Sequence, residues 1–155
     1  MQRLPIALAL GTFLGFVMPV QAATLVNVSL FDKGADTDMA TGLSYASGMS
    51  DMGKANVGIK LSRETVPAGE ITLKVENNSK EMVHEMVVFY LKDPTKPLPY
   101  VADENRIDEE KAIDKGEVSE LDPGKAGTVS LKLEPGKYLL ACNVPGHFDA
   151  ACGRC

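Results

Sequence analysis

Past its first 22 residues the chain alternates. In the stretch ATLVNVSLFD, Val26, Val28 and Leu30 share one parity while Leu25, Asn27 and Ser29 share the other, which is the period of a half-buried strand. The period returns in EITLKVEN (70–77), where Ile71, Leu73 and Val75 alternate with Thr72, Lys74 and Glu76. VGIKLS (57–62) reads as the strand before it, with Pro67 and Gly69 marking the turn between the two. EMVHEMVVFYL (81–91) differs, being apolar on both parities except at His84 and Glu85, as a central strand covered on two faces requires. Pro94, Pro97 and Pro99 end it, and GTVSLKLE (127–134) and KYLLAC (137–142), joined at Pro135-Gly136, bring the strand count to six.

Two segments lack this order. Residues 33–56, rich in Gly, Ser, Asp and Met, show no sustained period and read as a long flexible loop. In YVADENRIDEEKAID (100–114) the acids come early, and Val101, Ile107 and Ala112 fall at imperfect helical spacing, so a short surface helix is expected there. Short strands, Gly/Pro turns and one helix predict an all-β fold, an antiparallel Greek-key β-sandwich with a short helix. The sixth strand is followed by no further strand pattern, so the sandwich is expected to lack its last strand.

The opening 22 residues change the compartment rather than the fold. Arg3, an apolar run from Ile6 to Met18 and small residues around Ala22 have the three-part layout of a secretory signal peptide, with Val20 and Ala22 flanking the cut. The run is too short to span a bilayer as a stable helix. Cleavage after Ala22 leaves residues 23–155 as a single domain. Of the formal charge of −5, the leader holds only Arg3, so the mature chain is more acidic still. An acidic surface argues against nucleic acid and anionic membrane as partners. An exported chain meets an oxidising environment in which spread cysteines pair. The three here, Cys142, Cys152 and Cys155, all lie in the last fourteen residues, which points to ligation or accident rather than a disulfide framework.

Candidate chemistry gathers on few residues. The chain has two histidines, His84 on the most apolar strand and His147 five positions after Cys142 in a Pro-Gly turn. Considered alone, His84 fits a hydrogen-bonded core histidine and Cys142 a small buried hydrophobe. Together, a remote His and a local C-x4-H unit are the donor set of a trigonal His2Cys copper centre, because the NVPG turn lets Cys142 and His147 converge on one ion. Met82 and Met86 share the strand parity of His84 and are expected to pack around the site and shield it from water. Met39, Met49 and Met52 in the long loop offer soft thioethers for Cu(I), though loop composition explains them as well.

VHEMVVF and PGKYLLACNVPGH, with VNVSLFDKG, LKDPTKPLPY and GEVSELDPGKAGTVSLKLEPG, resemble the cupredoxins, the small blue-copper β-sandwich proteins, and especially the periplasmic cupredoxin-like proteins of proteobacteria. The resemblance covers residues 25–149 and implies a cupredoxin-like sandwich that binds one copper ion through His84, Cys142 and His147. It also implies an axial methionine at position 152, where this chain has Cys152. A second thiolate donates far more strongly than a thioether, and a His2Cys2 set favours Zn(II) or Cu(I). Cys152 and Cys155 equally form a C-x-x-C able to close as a disulfide. A reading frame displaced by one base near codon 150 permits Gly-Met-Trp-Thr-Leu in place of the atypical tail 151–155, restoring both the methionine and a strand-like continuation; the tail is therefore expected to come from a frameshift or a sequencing error.

No carboxylate pair or Ser-His-Asp pattern suggests an enzyme, and two histidines are too few for a multicopper oxidase. The sequence thus predicts a monomeric periplasmic protein passing single electrons to and from a redox partner through a mononuclear copper site. Two alternatives use the same residues: a copper carrier or buffer that serves a copper-handling protein without redox shuttling, and a frameshifted copy with an impaired site.

Overall fold

The computed structural model describes residues 22–34, 56–150 and the backbone of 153–154. The leader, most of the long loop with Met39, Met49 and Met52, and both Cys152 and Cys155 lie outside the described residues.

Two four-stranded sheets face one another. The first runs β2-β1-β3-β8, built from β1 (Thr24–Asp32), β2 (Val57–Leu61), β3 (Gly69–Asn77) and β8 (Ala126–Leu133). The second runs β10-β9-β4-β7, built from β4 (His84–Tyr90), β7 (Ile113–Leu121), β9 (Tyr138–Ala141) and β10 (Gly153–Arg154). A small hairpin of β5 (Tyr100–Val101) and β6 (Arg106–Ile107) stands apart from both. Alternation in β1 and β3 does what its period requires: Val26, Val28, Leu30, Ile71, Leu73 and Val75 turn inward and are buried, while Leu25 remains half exposed. They meet Met86, Val88 and Leu140 from the second sheet in the main core. At roughly 25 cal/mol per Å2 of apolar surface, each such side chain contributes about 1.5–3 kcal/mol.

β4 is apolar on both parities because each face has its own core. Met86 and Val88 enter the space between the sheets, whereas Val87, Phe89 and Leu91 pack outward with Leu139, Ala141, Ile107 and Phe148. The excursion from Leu98 to Ala112 covers that outer face, and this is what the segment read as a helix does. Among the described residues there is no helix; β5 and β6 form a hairpin instead. Asn105 adopts φ 54°, a left-handed conformation that Asn tolerates and that reverses the chain where a helix would have continued. Only Ile107 of the three apolar positions is fully buried, which is why their spacing never matched a helix.

Three further features depart from the expected strand pattern. β1 and β3 pair in parallel, Thr24 against Ile71 through Leu30 against Asn77, within an otherwise antiparallel arrangement. β7 has no counterpart among the six expected strands, because as an edge strand it buries only Val118 and so carries no alternation. Finally, the tail does form the start of a strand: Gly153 and Arg154 pair antiparallel with Ala141 and Leu140 on the edge of β9. The sandwich therefore has a short strand at the position expected to be empty.

Candidate metal centre

The end of β9 and the start of β4 lie side by side, with Val87 opposite Ala141, and this brings the two halves of the sequence pattern together. His84 opens β4 and Cys142 follows directly on β9; both are fully buried. After Cys142 the chain turns through Val144 to Gly146, where φ is 84°, and His147 N–H donates to Val144 O at 3.0 Å. That turn aims His147 back at the strands. Its Nδ1 lies 3.3 Å from Cys142 Sγ and 3.3 Å from His84 Nδ1, and the rings of the two histidines sit 4.8 Å apart.

All three expected ligand residues thus present one donor atom to a common point, the atoms lying within 4.8 Å of one another. Donors held about 2.0–2.3 Å from a shared ion are spaced by about 3.3–3.7 Å, and the two 3.3 Å separations made by His147 fit that spacing. Two imidazole nitrogens and one thiolate in a buried trigonal set are the donors that suit copper. Met86 is buried in the core cluster that also contains Cys142, and Met82 is partly buried against that cluster. His147 is the least buried ligand at 8% exposure.

The surrounding hydrogen bonds come from residues whose importance the sequence did not reveal. Glu85 N–H donates to Cys142 Sγ at 3.4 Å, a bond that withdraws charge from the sulfur. The Glu85 carboxyl is pushed up to about 7 by burial first, then by the charges of Cys142, Glu109 and Glu117, with the bond from Asn143 N–H opposing them. Asn143 is itself buried and bonds through its side chain to Ile107 and Glu109. Asp32, at the far end of β1, accepts four backbone N–H groups: Gly34 at 2.9 Å, Lys80 at 3.2 Å, Glu81 at 3.3 Å and Met82 at 3.1 Å. These bonds outweigh the desolvation of the carboxyl and hold it below its ordinary range. They also pin the segment that leads into His84. Asn77 supports the same segment by donating to Met82 O at 2.9 Å and Leu121 O at 2.7 Å. An Asn immediately after the one strand-end Cys, and an Asp closing a strand two residues before a Gly, were the signals available for Asn143 and Asp32.

No protein-family profile matches the sequence, and no curated protein matches it. Among solved structures, reduced rusticyanin superposes over 86% of this chain and 78% of its own, at 15% identity and a TM-score of 0.50. The fold is that of the cupredoxins. Dithionite-reduced auracyanin from the photosynthetic bacterium Roseiflexus castenholzii aligns over 85% of this chain and 93% of its own, with 16% identity and a TM-score of 0.49. In the cupredoxin sandwich seen here, the three donors sit at one end, where β4 begins and β9 finishes.

Proposed function

We propose that this protein binds one copper ion through His84, Cys142 and His147 and carries single electrons between partner proteins in the periplasm, after removal of residues 1–22. The observation that carries this reading is the meeting of two Nδ1 atoms and one Sγ at 3.3 Å contacts within a buried pocket. Copper in such a set supplies a one-electron Cu(I)/Cu(II) couple. The chain's own residues supply the rest. Burial of His84 and Cys142 keeps water from the donors, and the Glu85 N–H restrains the sulfur. His84 is fixed by ladder pairing with Leu121 on β7, and Cys142 by its place at the end of β9. Donors held in this way need little rearrangement when charge changes, which favours electron transfer over catalysis. His147, the ligand nearest solvent, is the proposed exit for electrons towards a partner of complementary charge, with the protein acting as a monomer. Cys152 is the proposed fourth donor.

The test is a Cu(II) titration followed by absorption spectroscopy and voltammetry. One equivalent should produce an intense visible thiolate-to-copper band that bleaches on one-electron reduction and returns on oxidation. A colourless complex that binds Cu(I) tightly without reversible reduction would replace the electron carrier with a copper carrier. A band unchanged in His147→Ala would remove the site assignment altogether. Cys152→Met should shift the band and raise the potential if position 152 contributes a donor.

A further inference from the structure

The ligand loop is tied to an element that belongs to neither sheet. Asn143, the residue after Cys142, is 2% exposed, and its side-chain amide lies along the free side of β6 as a strand would. Asn143 Oδ1 accepts Ile107 N–H at 2.7 Å, while Nδ2 donates to Ile107 O at 3.0 Å and to Glu109 Oε1 at 2.6 Å. Ile107 is itself 1% exposed and packs in the outer core with Phe148, the residue after His147. A second tie lies three residues along the loop, where Gly146 N–H donates to Asn105 O at 2.8 Å. Tyr100 closes the hairpin end by bonding Asn105 Oδ1 through its hydroxyl and placing its ring 6.3 Å from that of Phe148. The hairpin thus grips the loop immediately after one donor residue and immediately before the other.

We propose that Asn143 is a positioning residue and that the β5–β6 hairpin is a clamp, setting the Cys142-to-His147 separation before any metal arrives. Copper identity rests on the function proposed above, but the clamp does not. Its grip is a property of the metal-free chain, because every bond in it joins protein groups alone. Without it the loop would be held mainly by its own turn, and the thiolate and imidazole would sample wider separations. The ion would then impose its preferred geometry on the loop instead of meeting a fixed one.

The experiment uses three variants of the full chain: Asn143→Ala, the milder Glu109→Ala, and Ile71→Val as a remote core control. Amide hydrogen exchange of Gly146 in the metal-free protein is read first. Loss of the three Asn143 bonds should speed it roughly tenfold, and loss of the Glu109 bond less, in keeping with the modest net contribution of each hydrogen bond. Ile71→Val should leave it unchanged. The variants are then loaded with Cu(II) alone; Asn143→Ala should shift the visible band and alter the copper hyperfine splitting, with Ile71→Val matching the parent. If Asn143→Ala does not fold, Glu109→Ala carries the test by the same two readings. Equal Gly146 exchange in Glu109→Ala and parent, or equal changes in Asn143→Ala and Ile71→Val, would overturn the clamp. Faster exchange with no copper band in the parent would keep the clamp and overturn the electron-carrier reading.

Discussion

The two sheets solve the same packing problem by different means. In the first, β3 pairs with β8 without interruption from Gly69 against Leu133 to Glu76 against Ala126, and inward and outward residues alternate throughout. In the second, β4 pairs with β7 across two register shifts, between His84 and Met86 and between Val87 and Phe89. Irregularities of this kind re-aim side chains, and here they accompany the start of the strand that carries a ligand. Backbone groups that leave the ladder around the site are taken up by side chains: Asp32, Asn77 and Asn143 between them serve Lys80, Glu81, Met82, Leu121 and Ile107. The regular ladder is held by backbone pairing and burial, whereas the end of the sandwich that carries the site adds a few buried polar side chains, each holding several groups; Asp32 and Asn77 reach it from the ends of β1 and β3 in the first sheet.

That contrast predicts unequal mutational sensitivity. The largest effect falls on chemistry: Cys142→Ser should abolish the visible band of the copper-loaded protein, and a persisting band would move the thiolate role elsewhere. Next comes Asp32→Ala, which strips the acceptor from four part-buried backbone N–H groups and should cost about 3 kcal/mol in a denaturant titration, since each bond contributes about 0.5–1.5 kcal/mol net where water can reach the freed donor. Gly127→Ala should cost about 1–3 kcal/mol by overpacking, because a Cβ there would stand 2.4 Å from Val118 Cγ1, the one buried side chain of β7. At the small end, Thr72→Ala on the regular sheet loses only the 3.0 Å contact with Ser130 and should change stability by about 0.5 kcal/mol or less. Should Thr72→Ala prove as costly as Asp32→Ala, the proposed division between the regular ladder and the site end collapses.

Two carboxylates sharpen the comparison through pH. Asp32 titrates below its ordinary range when folded, so the stability it contributes is present above the unfolded value near 3.8 and is lost as pH falls through the folded one. Glu85 has the opposite sign. Its folded value of about 7 exceeds the ordinary 4.5, so the folded chain binds the extra proton and metal-free stability should decline as pH rises between those values. Melting temperatures of parent and Glu85→Gln across that window should converge at the acidic end and separate towards neutral pH, with the variant higher. Curves that stay parallel would remove the assigned sign.

What the sequence revealed followed from strong local signals. Strict alternation located β1 and β3, and a run apolar on both parities located β4, because burial on one or two faces leaves that signature. The three donors were legible because the chain holds so few histidines and one of them lies close after a strand-end cysteine. β7 was hidden because an edge strand with one buried residue has no pattern to show. The hairpin was hidden because its decisive residue, Asn105, works through a left-handed backbone angle and not through hydrophobicity. Asp32 and Asn143 were hidden for a related reason: their partners are backbone groups distant in sequence, which no local period encodes. The strand begun by Gly153 and Arg154 was missed because two residues of backbone pairing leave no composition signal.

The parallel pairing of β1 with β3 has a consequence for the order in which the molecule assembles. β1 lies between β2 and β3, so the strand made first during synthesis cannot complete its ladder until two later strands have arrived. Local hairpin formation cannot build that sheet, and loop closure must precede any gain from pairing. Folding is therefore expected on the slow scale of all-β domains, about milliseconds to seconds. Under the export proposed above, that delay is an advantage, since a slowly closing centre would leave the chain extended long enough to be threaded.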